Sequence, residues 1–113
     1  MLERDAEAPR TARRALEAWL PDLPPRVREN ALVAVTELVT NAVRFGRPPI
    51  HVRASVGADV LVVEVSDDGD ERPRRRVPSE DGGMGLNIVY LLADRAEIET
   101  ERSSVRCEFA VPR

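Results

Sequence analysis

A long run of apolar residues at helical spacing most strongly constrains how this chain can fold. The run lies between Pro24-Pro25 and Gly46. Its apolar members are Ala31, Leu32, Val35, Leu38, Val39, Ala42 and Val43. This spacing predicts a helix that starts near Pro24 or Pro25, where proline is tolerated in the first turn, and that continues to about Phe45 before Gly46 ends it. One face of such a helix must be buried, so the rest of the chain has to supply a layer for it to pack on.

Three polar residues of this segment are also spaced for one side of a helix. Glu37, Asn41 and Arg44 fall at i, i+4 and i+7, which predicts a polar line along the edge of the apolar face. An Asn oxygen suits Mg²⁺, Glu37 could take a proton from or orient an attacking hydroxyl or water, and the Arg44 fork suits phosphate. A bound nucleotide with its metal would satisfy all three groups. An ordinary solvated stripe of polar residues is the alternative.

Length and composition limit the classes of protein to which this chain can belong. With 113 residues, 42% of them hydrophobic, the chain is predicted to form a single domain, residues 1–113, whose first nine residues are flexible. The net charge is −3 with 17 basic and 20 acidic residues interspersed, which gives no reason to expect nucleic acid or a membrane surface as partner. The single cysteine and the lack of a signal-like or membrane-spanning run favour the cytoplasm.

The remaining pattern predicts two more helices and four strands. The helices cover about residues 11–20, with Thr11 as N-cap and Trp19 in the core or between helices, and about residues 86–93. The strands are predicted at 50–56, 60–66, 96–100 and 105–111, and the second of them is the most apolar and therefore central. Because short turns join neighbouring strands, we expect an α/β two-layer sandwich with a mostly antiparallel four-stranded sheet and three helices on one face.

Two further clusters have residue types suited to a nucleotide. Asp67-Asp68-Gly69 follows the predicted central strand; a carboxylate there can accept a hydrogen bond from an exocyclic amine such as that of adenine, and Gly69 lets the backbone approach a flat ring. The alternative for this cluster is a polar turn. Residues 82–85, Gly-Gly-Met-Gly, stand directly before the last predicted helix, where exposed N–H groups suit phosphate. The alternative there is a flexible linker with a helix start.

The combined motifs resemble a known superfamily. Residues 37–44 (ELVTNAVR), 67–69 (Asp-x-Gly) and 82–89 (GGMGLNIV) are similar to the N, G1 and G2 boxes of the GHKL ATPases, and the resemblance runs from about residue 10 to residue 112. Within that superfamily the chain looks most like the small stand-alone branch similar to anti-sigma-factor serine/threonine kinases. The resemblance implies the histidine-kinase-like (Bergerat) fold, with ATP and Mg²⁺ as ligands, and phosphorylation of a serine or threonine of a small partner protein.

The same resemblance implies roles for individual residues. Asn41 would be the Mg²⁺ ligand, Glu37 the catalytic base and Asp67 the residue that recognises adenine, and residues 70–81 would form the ATP lid. The remaining nucleotide-binding residues implied are Arg44, Gly69, Gly82, Gly83, Met84, Gly85 and Leu86. The implied partners are a sigma factor and an anti-sigma-factor antagonist, together with a second copy of the chain in a homodimer.

Two positions depart from the family pattern and keep a second function open. Phe45 stands where many relatives have a His, and Glu71 stands where a complete G1 box has its second Gly. The alternative to a kinase is therefore a catalytically weak nucleotide-binding module that sequesters a sigma factor or its antagonist by surface contact. An α/β domain without any ligand is a third interpretation, but it leaves the three polar clusters unexplained.

Overall fold

A computed structural model describes residues 7–47, 49–68, 84–99 and 104–112, and the chain forms three helices and four strands in these ranges. The helices are α1 (Ala8–Trp19), α2 (Pro25–Phe45) and α3 (Met84–Leu92). The strands are β1 (His51–Val56), β2 (Val60–Ser66), β3 (Arg95–Glu99) and β4 (Ser104–Ala110). The predicted lid, residues 70–81, lies outside the described residues.

The four strands form one sheet in the order β1-β2-β4-β3, and every neighbouring pair is antiparallel. The predicted α+β architecture and the central place of β2 are therefore confirmed. β2 has exactly the predicted bounds because its alternation of apolar residues is regular and a turn at residues 57–59 precedes it. Leu61, Val63 and Val65 of β2 are buried on one face.

The helices form the second layer, with α2 in its middle. α2 packs against β2 and β4, the two central strands, while α1 and α3 pack on α2. The apolar face predicted for α2 is buried: Ala31, Val35 and Val39 are completely enclosed. They pack in a core that also includes Val63 and Phe109 of the sheet. The position of α2 over the centre of the sheet fixes the polar residues at its edge relative to the end of β2.

The beginning of the chain differs from the prediction. α1 starts at Ala8, not at Thr11, and Ala8 is only 2% exposed, so residues 8 and 9 belong to the helix. Pro9 stands in the first turn, where its fixed φ angle favours a helix, and Ala8 packs together with Ala12 and Leu16 at i+4 spacing. Thr11 is one turn inside the helix and donates its N–H to the Glu7 carbonyl at 2.9 Å.

Trp19 is not a core residue. It is the last residue of α1, and 51% of its surface is exposed, while Leu20 directly after it is buried with 8% exposed. Ala15, four residues before Trp19, is exposed as well. The buried row at this spacing consists of Ala8, Ala12, Leu16 and Leu20. Trp19 therefore lies beside the buried row, although the predicted apolar side of the helix included it.

Charged residues of alternating sign lie next to one another across one face of the sheet. Arg53 of β1 is paired with Glu64 of β2, Glu64 with Arg106 of β4, and Arg106 with Glu97 of β3. Opposite charges on directly paired residues each contribute about 0.2–1 kcal/mol. Among the described helices, none is long and apolar enough to cross a membrane.

Candidate functional site

The three residues of the polar line on α2 differ in how far they are buried. Glu37 is half-buried, Asn41 is buried with 8% exposed, and Arg44 is exposed in the last turn of the helix. The predicted spacing on one helix is therefore present in the structure. Its middle member is only 8% exposed, which an ordinary solvated stripe does not explain.

Asn41 is one of two buried polar or charged residues in the described part of the chain, and the other is Ser104. No hydrogen bond of the Asn41 carboxamide is seen among the described residues. By contrast, the Thr36 and Thr40 hydroxyls of the same helix donate to the carbonyls one turn earlier, to Leu32 at 2.8 Å and to Thr36 at 2.7 Å. Among the described residues, the fully enclosed side-chain polar atom without a partner is Ser104 Oγ, so the Asn41 carboxamide is not sealed inside the core. A carboxamide that is mostly buried and uses no described protein partner can offer its oxygen to a metal bound with the nucleotide.

Arg44 and Phe45 contact each other at the end of α2. The Arg44 guanidinium carbon lies 5.3 Å from the centre of the Phe45 ring, which is within the range of a cation–π contact. Arg44 also stands in the last turn of the helix, where a positive charge is favourable. The Phe45 ring thus lies against the side chain that the sequence predicts to bind phosphate.

Asp67 lies beside the end of α2 because the chain returns there through β2. The Arg47 N–H donates to Asp67 Oδ1 at 3.3 Å, and the Asp68 N–H donates to the Arg47 carbonyl at 2.9 Å. The two interactions hold the residues that follow β2 against the residue that follows α2 and Gly46. The predicted adenine-binding carboxylate is therefore half-buried and anchored to the end of the helix that carries Asn41.

Gly46 is in direct contact with this carboxylate. A Cβ atom placed on Gly46 would collide with Asp67 Oδ2 and would lie 2.5 Å from Asp67 Cγ and 2.9 Å from the Ala42 carbonyl oxygen. Such distances are not compatible with a side chain unless a neighbour moves. Sequence analysis identified Gly46 only as the end of a helix, and it did not identify the part played by the Arg47 backbone.

The glycine-rich cluster is described in part. α3 begins at Met84, two residues earlier than predicted, so Met84, Gly85 and Leu86 form its first turn and do not belong to a preceding loop. The predicted boundary was wrong because Gly85 was taken as a loop residue, whereas a glycine is tolerated in a helix at a cost of about 1 kcal/mol. The predicted sites at Gly69, Gly82 and Gly83 lie outside the described residues.

The donor set is compatible with magnesium bound through few protein ligands. Among the described residues, no group of three or more His, Cys, Asp or Glu side chains is placed to hold a metal ion. Mg²⁺ bound with a nucleotide takes most of its ligands from phosphate oxygens and water, so one Asn oxygen is a sufficient protein contribution. The Asn41 carboxamide, which makes no hydrogen bond that is seen among the described residues, can supply that oxygen.

Comparisons with known proteins agree with this geometry. A search of curated proteins gave no match to the chain. A sequence model described as a histidine kinase-like ATPase domain matches residues 2–109, which is nearly the whole chain. Domains of this type bind ATP, usually together with Mg²⁺. The fold, the polar line on α2 and this match together show that the chain belongs to the histidine kinase-like ATPase (GHKL) family.

Proposed function

We propose that this chain binds ATP with Mg²⁺ and transfers the γ-phosphoryl group to a serine or threonine hydroxyl of a partner protein. The observation that carries the proposal is that one helix brings two suitable residues to the same site. Asn41 is buried in α2 without a partner among the described residues, and Asp67 is anchored at the end of the same helix. Asn41 suits a metal, and Asp67 suits an exocyclic amine. The resemblance to anti-sigma-factor kinases supports the choice of a protein hydroxyl as acceptor.

Each residue has a separate task in this proposal. Asp67 accepts a hydrogen bond from the adenine 6-amino group, and Arg44 binds phosphate oxygens through its guanidinium. Asn41 supplies the amide oxygen for Mg²⁺, which neutralises charge on the phosphates when it is bound. Met84, Gly85 and Leu86, in the first turn of α3, offer N–H groups to a phosphate, because the first N–H groups of a helix have no partner inside it.

Glu37 is the proposed base. The hydroxyl oxygen of the acceptor forms a bond to the γ-phosphorus, the bond from that phosphorus to the β-phosphate bridging oxygen breaks, and the hydroxyl proton passes to the Glu37 carboxylate. ADP is the leaving group. Glu37 lies one helical turn before Asn41 and is half-buried, so it stands beside the proposed metal ligand on the same side of α2.

The proposed partners are a sigma factor and an anti-sigma-factor antagonist, with a second copy of the chain as a homodimer, in the cytoplasm. These proposals rest on the family resemblance of the motifs at 37–44, 67–69 and 82–89. The interspersed charges and the net charge of −3 favour protein partners over nucleic acid or a membrane surface.

A second function is favoured by one contact. The Arg44 guanidinium lies over the Phe45 ring, and the His that many relatives carry at this position would offer a polar group instead. A module that binds nucleotide without efficient turnover, and that sequesters a sigma factor or its antagonist, would tolerate this exchange. Measured turnover in the presence of bound ATP distinguishes the two functions.

The first experiment is calorimetric titration with ATP and ADP, with and without Mg²⁺. The variant is Asp67→Asn and the matched control is Asp68→Asn, an exposed neighbour that makes the same change in charge. We expect the wild type and the control to bind Mg²⁺-ATP, and Asp67→Asn to bind at least about tenfold more weakly, since a hydrogen bond to a charged group contributes about 1.5–3 kcal/mol. A folded wild type that binds no nucleotide would contradict the proposal.

The second experiment separates binding from chemistry. Glu37→Gln is compared with Glu29→Gln on the same helix, where Glu29 is exposed and 3.7 Å from Arg13. ADP release from labelled ATP should fall by about 10²–10⁴-fold in the first variant, which is the usual contribution of a general base, while nucleotide affinity stays unchanged. Equal turnover in both variants would show that Glu37 is not the base.

A further inference from the structure

We infer that Gly46 is a positioning residue for adenine recognition: because it has no side chain, the Asp67 carboxylate can lie against the end of α2, where the Arg47 N–H holds it. This inference rests on the proposed function, since it concerns how the same site recognises the base. It assigns to Gly46 and to the Arg47 backbone a role in selecting the nucleotide, in addition to ending a helix.

The backbone conformation of Gly46 does not itself require glycine. Its φ is −99° and its ψ is −165°, which is extended backbone that any residue adopts. Its N–H donates to the Ala42 carbonyl at 2.7 Å, as an ordinary helix end does. The reason for glycine is therefore space, and the space is occupied by the Asp67 carboxylate, whose Cγ lies 2.5 Å from where a Cβ would be.

The carboxylate is held from two sides. Gly46 forms the surface under Oδ2, and the Arg47 N–H donates to Oδ1 at 3.3 Å. The Asp68 N–H in turn donates to the Arg47 carbonyl at 2.9 Å, so the backbone of Arg47 cannot shift without also moving the residue after Asp67. A group held in this way needs no reordering when the base arrives, and preorganisation of this kind improves binding.

Adding one methyl group at Gly46 should therefore displace Asp67 more than the helix. The two atoms that collide most closely belong to the Asp67 side chain, which can rotate, whereas the Ala42 carbonyl oxygen at 2.9 Å is backbone, so the last turn of α2 must shift as well. Rotation of the carboxylate away from Gly46 removes it from the Arg47 N–H and from the base. The expected effect is a loss of discrimination for the 6-amino group.

The test compares binding of ATP with binding of purine riboside triphosphate, which lacks only the 6-amino group. Dissociation constants of both nucleotides are measured with Mg²⁺ for the wild type, Gly46→Ala and the control Gly57→Ala. Gly57 lies in the turn before β2, and a Cβ there would be 3.7 Å from its nearest neighbour, which is ordinary contact. We expect the wild type and Gly57→Ala to prefer ATP by about tenfold or more, and Gly46→Ala to prefer it less than about twofold.

A double-mutant cycle of unfolding stability tests the inference even if Gly46→Ala folds poorly. The unfolding midpoints of Gly46→Ala, Asp67→Ala and the double variant are compared with that of the wild type. If the added methyl group collides with the carboxylate, Gly46→Ala lowers the midpoint much less when Asp67 is already Ala. Additive effects, or a Gly46→Ala protein that keeps the full preference for ATP, would overturn this inference and leave the proposed function intact. A wild type that binds no ATP would overturn both.

Discussion

Asn41 should add little to the stability of the nucleotide-free protein, because its carboxamide makes no hydrogen bond that is seen among the described residues. Replacing it by Ala favours the helix by up to about 0.7 kcal/mol. The small void left at a site that is 8% exposed offsets this gain. We therefore expect Asn41→Ala to change the free energy of unfolding by less than about 1 kcal/mol, or the melting temperature by less than about 4 °C.

Mg²⁺-ATP should stabilise the wild type but not Asn41→Ala. A ligand at about 100 times its Kd stabilises the protein that binds it by about 2.7 kcal/mol, and the variant without the metal ligand gains little. The assay is urea denaturation of both proteins, with and without Mg²⁺-ATP. The control is Asn30→Ala, a half-buried Asn in the first half of α2, which should gain no more than the helix-propensity term of about 0.7 kcal/mol and should keep ATP binding.

One result would refute this reasoning directly. If nucleotide-free Asn41→Ala is less stable than the wild type by about 1 kcal/mol or more while Asn30→Ala is not, then Asn41 makes a stabilising interaction within the fold. Its burial would then reflect a structural role. A stable variant that still binds Mg²⁺-ATP as tightly as the wild type would equally remove Asn41 from the site.

Two further predictions concern side chains beside the site and in the core. Burial, with a smaller contribution from Glu108, raises the pKa of Cys107 from 9.0 to about 12, so below pH 9 its thiol stays protonated. At about pH 8 a thiol reagent should modify the native protein about a thousandfold more slowly than the urea-unfolded chain, and equal rates would show that Cys107 is accessible. Because this folded-state pKa is raised, its contribution to stability is complete below pH 9 and is lost as the pH rises toward 12. Phe45→Leu should remove the contact with Arg44 and cost about 0.5–1 kcal/mol of stability, measured by urea denaturation; an unchanged midpoint would show that the contact contributes nothing.

The sequence predicted the elements whose signals are local. α2 was predicted at both ends because Pro25 suits a first helical turn and Gly46 follows the last apolar repeat, and β2 was predicted exactly because apolar residues alternate between two turns. The three polar residues of α2 follow from helical periodicity alone. That Asn41 is the buried member depends on how the other elements pack on α2, and periodicity does not contain that information.

The errors have a common cause. α1 starts earlier than predicted because Ala8 is buried in the core, and Trp19 is exposed because it lies beside the row of α1 that packs on the core. Helix ends are decided by tertiary contacts as much as by the capping residues that a sequence displays. Pro9 was a usable signal for the earlier start, since proline is favoured in the first turn of a helix.

The sequence correctly predicted that α2 ends before Gly46, but it did not give the full reason for a glycine at this position. A glycine after a helix is usually explained by a left-handed conformation, and that explanation does not hold here because its backbone is extended. The structure gives a different reason, namely that a residue 21 positions later in the chain needs the space. Asp67 has the right chemistry for adenine in any conformation, but it can serve a base of fixed orientation only if its carboxylate is held still. Gly46 and the Arg47 N–H hold it where α2 ends, so the helix that carries Asn41 also orients the carboxylate proposed to recognise adenine.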